Sequence, residues 1–334
     1  MQTLLTSSQM READAATLRI KEISSIQLME NAATAFVKVF VKEFPDHHTK
    51  ISVICGQGNN GGDALAIARL LKNSKYKNIQ VFLIEFSENE TQDYVINLKK
   101  LKHKKIAIID VIAVDQIKGI QTDVVIDGVL GSGLNKPLSG NYKKLAMYIN
   151  QLDAKIVAID IPTGFNGEEI IAEDYKGVKA DLVISFQRPK INFFFPESVK
   201  ALNRFKIVDI GLDETFIQEQ NSPWKLITSF DAENLIKKRV NFTHKGTYGH
   251  ALIVAGNTTT MGAALLAAGA CLHAGAGLTT VCLPESGLTA LNTTLPEVMA
   301  LIRNNSLKVD DFEKFNSIAI GPGFGIEKNN EELV

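Results

Sequence analysis

Short, continuously apolar runs recur along this chain, separated by segments long enough to hold a crossover helix. They lie at 51–55, 79–84, 106–110, 123–127, 156–160 and 181–186. Because their hydrophobicity is continuous rather than alternating, these runs are typical of parallel strands buried on both faces by helices. The pattern predicts a doubly wound α/β domain.

Two helices are predicted ahead of the first strand. Thr6 with Gln9, and Ser24 with Gln27, have the spacing of a capping box, in which each residue of the pair satisfies a backbone N–H of the other. Behind Ser24, apolar residues recur every four positions at 28, 32, 36 and 40, which predicts an amphipathic helix. The N-terminal residues lack the basic start and apolar stretch of a signal peptide, so none is predicted.

A second domain is predicted beyond a polar stretch at 213–225 that contains Pro223 and is interpreted as a linker. The predicted boundaries are 1–220 and 225–334. Three further apolar runs and a Gly/Ala-rich helix from about Met261 predict the opening strands of another α/β domain. This domain is short for its class, so we expect it to be incomplete and to leave an apolar face exposed.

Charge and cysteine content exclude several classes of protein. The 36 basic and 37 acidic residues give a formal charge of −1, so no global charge attracts nucleic acid or an anionic membrane. Cys55, Cys271 and Cys282 form no CxxC pair, which disfavours a disulfide framework or a zinc site and fits a reducing, cytoplasmic location. The segment 261–281 is long and nearly uncharged, but its Ala, Gly and Thr content predicts a packed helix and strand rather than a membrane span.

The first chemistry-bearing segment follows the first strand directly. Residues 56–61 read G-Q-G-N-N-G, a dinucleotide fingerprint, and Glu85 ends the next strand, where a ribose-binding acid would lie. A tight turn that needs glycine is the alternative. Asn60 offers an amide oxygen to a cation and Asp63 places a carboxylate near any phosphate, which an ordinary hydride-transfer site does not need.

Two more segments follow later strands. Residues 127–137 read D-G-V-L-G-S-G-L-N-K-P, which fails the P-loop pattern and is either an anion-binding nest or a plain loop. Asp160 ends a buried strand, and is a candidate acid–base or ligand, or else a cap of the turn that follows.

The carboxyl ends of parallel strands meet at one edge, which brings Asn60, Asp127 and Asp160 together. With the Thr163 hydroxyl, their oxygens suit a hard cation. The constellation contains no histidine, and the sequence shows no Ser/His/Asp or Cys/His arrangement for covalent catalysis.

These segments resemble a known family. GQGNNGGDALAIARLL, DGVLGSGLNKPLSG and AIDIPTGFNG resemble the three motifs of the NAD(P)H-hydrate epimerase domain. Residues 244–278, LPEVM at 295–299 and IGPGFG at 320–325 are similar to the N-terminal half of the ADP- or ATP-dependent NAD(P)H-hydrate dehydratase. The resemblance covers nearly the whole chain and implies a three-layer Rossmann-like doubly wound sheet, followed by an incomplete ribokinase-like α/β domain.

The resemblance also implies residue roles. Asp160 would be the catalytic carboxylate beside the nicotinamide ring. Potassium would be bound with the help of Asn60, Asp127 and Thr163. Asn135 stands where the family often has Arg, which weakens a contact to phosphate that Lys136 would restore. Substrate contacts are implied for Asn59, Asn60, Gly61, Gly62, Asp63, Gly131, Ser132, Gly133, Leu134, Asn135, Lys136, Pro137, Asp160 and Gly323.

The implied activity is isomerisation between the R and S forms of hydrated NADH or NADPH, called NADHX and NADPHX. ADP or ATP with Mg²⁺ belongs to the dehydratase, a lyase whose Gly-Thr-Gly-Asp motif is absent before Val334, so we expect no dehydration by this chain. The family also suggests homodimerisation through the N-terminal helices, which no residue of this sequence indicates.

Other classes of function compete with this hypothesis. Epimerase-like domains occur as non-catalytic modules in messenger RNA decapping scaffolds, but such a module would lack Asp160, and this chain has no basic patch. An oxidoreductase would bind ordinary NAD at the glycine-rich loop and transfer hydride. A sugar-kinase-like second domain would need the phosphate-site half that is missing.

Overall fold

The computed structural model describes residues 1–117, 119–133, 137–236, 238–303 and 312–325. The chain divides into two compact units, Met1–Ile227 and Thr228–Val334. In the first unit the described helices are α1 (Ser7–Ile20), α2 (Ser25–Glu43), α3 (Asn59–Asn73), α4 (Gln92–Lys102), α5 (Gly140–Ile149) and α6 (Glu214–Glu219). Its described strands are β1 (Gln2–Thr3), β2 (Lys50–Cys55), β3 (Asn78–Ile84), β4 (Ala107–Val111), β5 (Val124–Gly128), β6 (Lys155–Ile159), β7 (Leu182–Phe186), β8 (Phe205–Val208) and β9 (Lys225–Leu226).

A seven-stranded parallel sheet forms the centre of the first unit, in the order β4-β3-β2-β5-β6-β7-β8. The order reverses between β2 and β5, where Cys55 pairs with Gly128. Ligands of open α/β sheets bind outside the carboxyl ends of the strands at such a reversal. The doubly wound prediction is confirmed, and the sheet order fixes where a site is expected.

Both faces of this sheet are buried at its central strands, as the continuous apolar runs predict, whereas the edge strand β4, predicted from the run at 106–110, is mostly exposed. On β2, Val53 and Cys55 pack in one core with Phe36 of α2 and Leu65 of α3. The intervening Ile54 packs in a second core on the opposite face, with residues of α5. Burial on both faces excludes water from the strands and leaves their ends as the places where polar side chains collect.

The two predicted helix starts differ in detail. Thr6 accepts from the Gln9 N–H at 3.2 Å while the Gln9 side chain accepts from the Thr6 N–H at 3.1 Å, so this capping box is confirmed. Ser24 accepts from the Gln27 N–H at 3.2 Å, but the Gln27 side chain donates to Asn31 instead. The second box is therefore only half formed, since a competing partner lies one turn along the helix.

The stretch interpreted as a linker folds into the first unit. Asp213 caps α6 by accepting from the Phe216 N–H at 2.8 Å, and Ile217 is fully buried in the core. Strand β9 then pairs antiparallel with β1, and the division between the units falls after Ile227. The polar residues of the stretch lie on the outer side of a short helix whose apolar side is packed.

The second unit is a smaller α/β unit. Its described helices are α7 (Ser229–Leu235), α8 (Met261–His273) and α9 (Leu288–Thr294), and its described strands are β10 (His250–Val254), β11 (Leu278–Leu283), β12 (Met299–Ile302) and β13 (Ser317–Ile320). The four strands form a parallel sheet in the order β12-β11-β10-β13.

The segment 261–281 is a packed helix and strand, as predicted. Ala264 and Ala268 of α8 are buried against Val281 of β11. Among the described residues, no helix combines the length and apolar character that crossing a bilayer requires. Along β13, Ile318 and Ile320 keep 48% and 44% of their surface exposed, in line with the expected apolar face.

Candidate active site

A cavity of about 470 Å³ lies within the first unit, at the carboxyl ends of the strands beside the reversal of strand order. Its position agrees with the general rule for ligand sites in open parallel sheets. Seven of the residues singled out from the sequence line it: Asn59, Asn60, Asp63, Gly131, Ser132, Gly133 and Asp160.

The glycine-rich loop that borders the cavity is too crowded for larger residues. A Cβ on Gly56 would lie 2.0 Å from the Val129 carbonyl oxygen, and one on Gly61 would lie 1.7 Å from the Gly56 oxygen. Helix α3 starts directly after this loop, with Gly58 as an N-cap that supplies no side-chain hydrogen bond. The first-turn N–H groups of a helix carry partial positive charge and bind anions. The loop therefore presents an anion-binding helix terminus to the cavity.

Asp160 follows β6 in an unusual backbone conformation. Its φ is +61°, a region that non-glycine residues rarely occupy, and the Ile161 N–H donates across it to the Ile159 oxygen at 2.7 Å. An i to i+2 hydrogen bond around a residue of positive φ marks a strained γ-turn. Such a conformation costs about 1–3 kcal/mol and persists only where the surrounding structure holds it.

The surroundings that hold Asp160 also satisfy its carboxylate. Oδ1 accepts from the Ser185 hydroxyl and from the Phe186 N–H, both at 3.0 Å. Lys190 Nζ lies 2.8 Å from the same oxygen, and only 10% and 16% of the lysine and aspartate side chains are exposed. These hydrogen bonds and the ion pair fix the position of the Asp160 carboxylate.

Two further carboxyl groups face the same cavity. Burial and the Asp160 charge raise the pKa of Asp14, on α1, from 3.8 to about 6, with Lys190 acting in the opposite direction. Burial raises the pKa of Asp63, on α3, well above its usual value, and the charges of Asp160, Asp14 and Asp93 add to the effect. The cavity thus holds one aspartate in an ion pair with Lys190 and two aspartates whose pKa values are raised by burial.

Sequence reasoning missed Asp14 and Lys190. Asp14 lies between the buried Ala13 and Ala16 on α1, so its place on an inward-facing stretch of the helix was a usable signal. Lys190 follows β7 by four residues and is 8% exposed. A lysine shortly after a buried strand is the same kind of signal that drew attention to Asp160.

Asp127 is fully buried at the end of β5 and is tied to the loop after β6. Thr163 donates to it twice, from N–H at 2.7 Å and from the hydroxyl at 2.6 Å. The Val129 N–H donates to Asp127 at 3.3 Å, and the Thr163 hydroxyl oxygen accepts from the Leu130 N–H at 3.0 Å. Burial raises the pKa of Asp127, while the hydrogen bonds from Thr163 and Val129 lower it.

The three residues suggested for potassium have oxygens that suit a cation, but they do not all line the cavity. Asn60 is 9% exposed, lines the cavity, and has an amide nitrogen that finds no partner among the described residues. Because amide oxygen and nitrogen exchange places by rotation, Asn60 can offer its oxygen there. The Asp127 partners within the described ranges are all neutral donors. Asp127 and Thr163, however, are not among the residues that line the cavity.

Several residues singled out from the sequence lie elsewhere. Pro137 lines a separate cavity of about 400 Å³. Gly61 and Gly62 are buried in α3. Gly323 belongs to the second unit, where its oxygen accepts from the Thr260 hydroxyl at 2.7 Å. Leu134, Asn135 and Lys136 lie outside the described residues. Glu85 is exposed and does not line the main cavity.

Comparison with protein families matches most of the chain. The family described as YjeF-related protein N-terminus matches residues 25–192, which include the glycine-rich loop, Asp127, Asp160 and Lys190. The family described as NAD(P)H-hydrate dehydratase matches residues 251–334.

Curated relatives extend the match beyond single domains. A bifunctional NAD(P)H-hydrate repair enzyme Nnr of Dictyoglomus turgidum is 28% identical over 99% of this chain and 66% of its own length. The enzyme of the same name from Moorella thermoacetica is 29% identical over 99% of this chain and 66% of its own length. The chain thus spans about two thirds of the length of these curated relatives.

A solved structure supports the fold. The crystal structure of the yeast protein ynu0, YNL200c, superposes with a TM-score of 0.55 and covers 68% of this chain and 97% of its own, at 22% identity. With the YjeF-related family model matching residues 25–192, and repair enzymes similar along nearly the whole sequence, this chain belongs to the YjeF-related family.

Proposed function

We propose that the first unit is an NAD(P)H-hydrate epimerase, which interconverts the R and S forms of NADHX and NADPHX. We assign this domain to the first unit, Met1–Ile227, which extends the expected boundary at 220 to include strand β9, and the second unit, from Thr228, to the N-terminal part of a dehydratase domain. The observation that carries the proposal is the Asp160 carboxylate, which lines a cavity at the strand reversal and is held there by Lys190. The family of the chain and its repair-enzyme relatives support the choice of substrate.

The chemistry requires reversible loss of the hydroxyl group at C6 of the hydrated nicotinamide. The ring nitrogen can expel the hydroxyl once its oxygen is protonated, and water then returns to either face. An ionised carboxylate beside C6 stabilises the cationic ring that forms between these steps, and removes a proton from the incoming water. The place of the Asp160 carboxylate in the cavity, paired with Lys190, supports this role.

The dinucleotide needs an anion site for its phosphates. The start of α3 at Asn59 borders the cavity, and Arg11 also lines it. A helix N-terminus and a guanidinium are both suited to phosphate. Within the ranges 59–63 and 131–137, which we assign to substrate binding, the cavity supports Asn59, Asn60, Asp63, Gly131, Ser132 and Gly133, and the other residues are assigned by family resemblance alone.

Potassium is proposed as the cofactor, with Asn60, Asp127 and Thr163 as the residues that would hold it. Their oxygens, and a buried carboxylate whose described partners are neutral, fit a cation. When bound, the ion supplies positive charge that orders the substrate loops. ADP or ATP with Mg²⁺ is proposed only for a complete dehydratase domain; no group of three or more Asp, Glu, His or Cys in the described part of the chain is placed to hold a metal ion. The proposal also includes a cytoplasmic location and a homo-oligomer.

The test is chromatographic separation of R and S NADHX during incubation with the purified protein at fixed potassium. We expect the wild type to accelerate interconversion over the spontaneous rate, and Asp160→Asn to lose that acceleration. Asp153→Asn changes an exposed aspartate outside the cavity and serves as the matched control. Equal rates with and without protein would reject the epimerase and favour a non-catalytic binding module.

A further inference from the structure

The cavity contains a carboxyl group that the proposed reaction has not yet used. Asp14, Asp63 and Asp160 line it together with one ammonium group, Lys190. Lys190 forms an ion pair with Asp160 at 2.8 Å and acts on Asp14 as a neighbouring charge. Asp14 is subject to burial and to the charges of Asp160 and Lys190, and receives no hydrogen bond within the described residues.

Asp14 is held rigidly enough to act at a defined place. The capping box of Thr6 and Gln9 fixes the start of α1. Thr17, one turn beyond Asp14 and fully buried, donates to the Ala13 oxygen at 2.7 Å and accepts from the Asp213 N–H at 2.9 Å. At the start of the helix, the Gln9 side chain donates to the Asn221 carbonyl at 3.1 Å, so α1 is tied to the rest of the unit on both sides of Asp14.

Environment separates the two aspartates chemically. Asp160 accepts two hydrogen bonds and pairs with the Lys190 ammonium group. Asp14 has none of these, and the Asp160 charge beside it favours its neutral form. Two carboxyl groups that share a cavity but differ in their hydrogen bonds and ion pairs are the arrangement by which enzymes divide acid and base roles.

We propose that Asp14 is the general acid of the epimerisation, acting with the Asp160 carboxylate in the same cavity; this inference rests on the proposed epimerase function. The Asp14 proton passes to the hydroxyl oxygen of the hydrate, the C6–O bond breaks, and water leaves. The ring-nitrogen lone pair forms a C=N bond, whose positive charge lies beside Asp160.

The return step restores every atom. Water adds to the opposite face of C6, the C=N electron pair returns to nitrogen, and the surplus proton of the added water passes, directly or by way of Asp160, back to Asp14. No oxidant, reductant or other reactant is needed.

Asp63 is a weaker choice for the acid. Burial and three neighbouring negative charges raise its pKa well above the usual value, so its proton is released with difficulty. At a pKa of about 6, Asp14 retains a proton in about one molecule in ten at pH 7 and also gives it up readily. The charged groups that share the cavity with Asp14 are Arg11 on its own helix, Asp63, Asp160 and Lys190.

The test is the pH dependence of kcat/KM for NADHX epimerisation, corrected for the spontaneous rate, in the full chain. We expect the wild-type rate to fall as pH rises above about 6, because Asp14 must be protonated. Asp14→Asn should lose this alkaline limb and lower kcat by roughly 100-fold to 10,000-fold with little change in KM. Asp14→Glu should recover part of the rate, and Glu12→Gln, on the exposed side of α1, should behave as the wild type.

The outcomes separate the two proposals. A wild type that does not accelerate epimerisation rejects the function itself. An active wild type with an equally active Asp14→Asn, and an unchanged alkaline limb, overturns the role of Asp14 and leaves the function standing. If Asp14→Asn does not fold, carbon-13 NMR titration of the aspartate carboxyls in the wild type decides the matter. An Asp14 midpoint near 4 overturns the proposal, and one near 6 supports it.

Discussion

The raised pKa of Asp14 makes a prediction about stability that is independent of any activity. A carboxyl group with a pKa of about 6 in the folded chain and 3.8 as its ordinary value stabilises the fold at low pH. That contribution is fully present below pH 3.8 and is lost as pH rises through 6. The side chain in the Asp14→Asn variant cannot ionise, so the free energy of unfolding of this variant should not fall in this way as pH rises.

The magnitude follows from the same values. Each tenfold change in an acid dissociation constant is worth about 1.4 kcal/mol, so a rise from 3.8 to about 6 corresponds to about 3 kcal/mol. Asp14 is half-buried, and solvent screening reduces the effect to about 1–2 kcal/mol. We therefore expect the free energy of unfolding of Asp14→Asn, relative to that of the wild type, to increase by about 1–2 kcal/mol as pH rises from 4 to 7.5.

Urea unfolding at a series of pH values measures this gain. The fluorescence of Trp224, the sole tryptophan of the chain, reports on the first unit, where its carbonyl accepts from the Leu4 N–H. Glu12→Gln on the exposed side of α1 is the control. A difference between Asp14→Asn and wild type that stays constant across the pH range would refute the reasoning, because only a perturbed pKa makes it vary.

Three further substitutions test the geometry of the site. Lys190→Met removes the cation that pairs with the largely buried Asp160 carboxylate. It should lower the free energy of unfolding, measured in urea, by about 3 kcal/mol. Thr163→Val removes a 2.6 Å hydrogen bond to the buried Asp127 and should cost about 1.5–3 kcal/mol, whereas Thr163→Ser should stay near the wild type. Gly61→Ala places a Cβ 1.7 Å from a backbone oxygen and should prevent folding as judged by circular dichroism, whereas Gly58→Ala meets nothing within 4 Å and should fold.

The strands and their order along the chain were predictable, because a strand buried on both faces needs a continuous apolar run wherever it lies in the sheet. The edge of the sheet that carries the site followed from the same reasoning, since parallel strands end together. Asn60 and Asp160 do line one cavity at that edge.

The segment after β8 was misinterpreted as a linker because its composition is polar. A helix of six residues needs only a few apolar side chains to pack, and Ile217 supplies the fully buried one. Composition averages over both sides of such a helix. The pairing of β9 with β1 joins residues more than 200 positions apart, which no local pattern reveals.

Asp14 and Lys190 were missed for a related reason. A helical pattern shows which side of α1 faces inward, but not which distant strand end the helix covers. The positive φ of Asp160 was equally hidden, because the residue type gives no sign of it and the hydrogen bonds from Ser185 and Phe186 stabilise it. Both features depend on tertiary packing.

The most direct test of the central claim starts from each pure epimer of NADHX separately and follows both to equilibrium by chromatography. An epimerase must accelerate both directions by the same factor and reach the same ratio from either side, and Asp160→Asn must abolish the acceleration. A protein that leaves the rates unchanged, or that shifts the final ratio in proportion to its own concentration, would contradict the account and show that the cavity binds the hydrate without converting it.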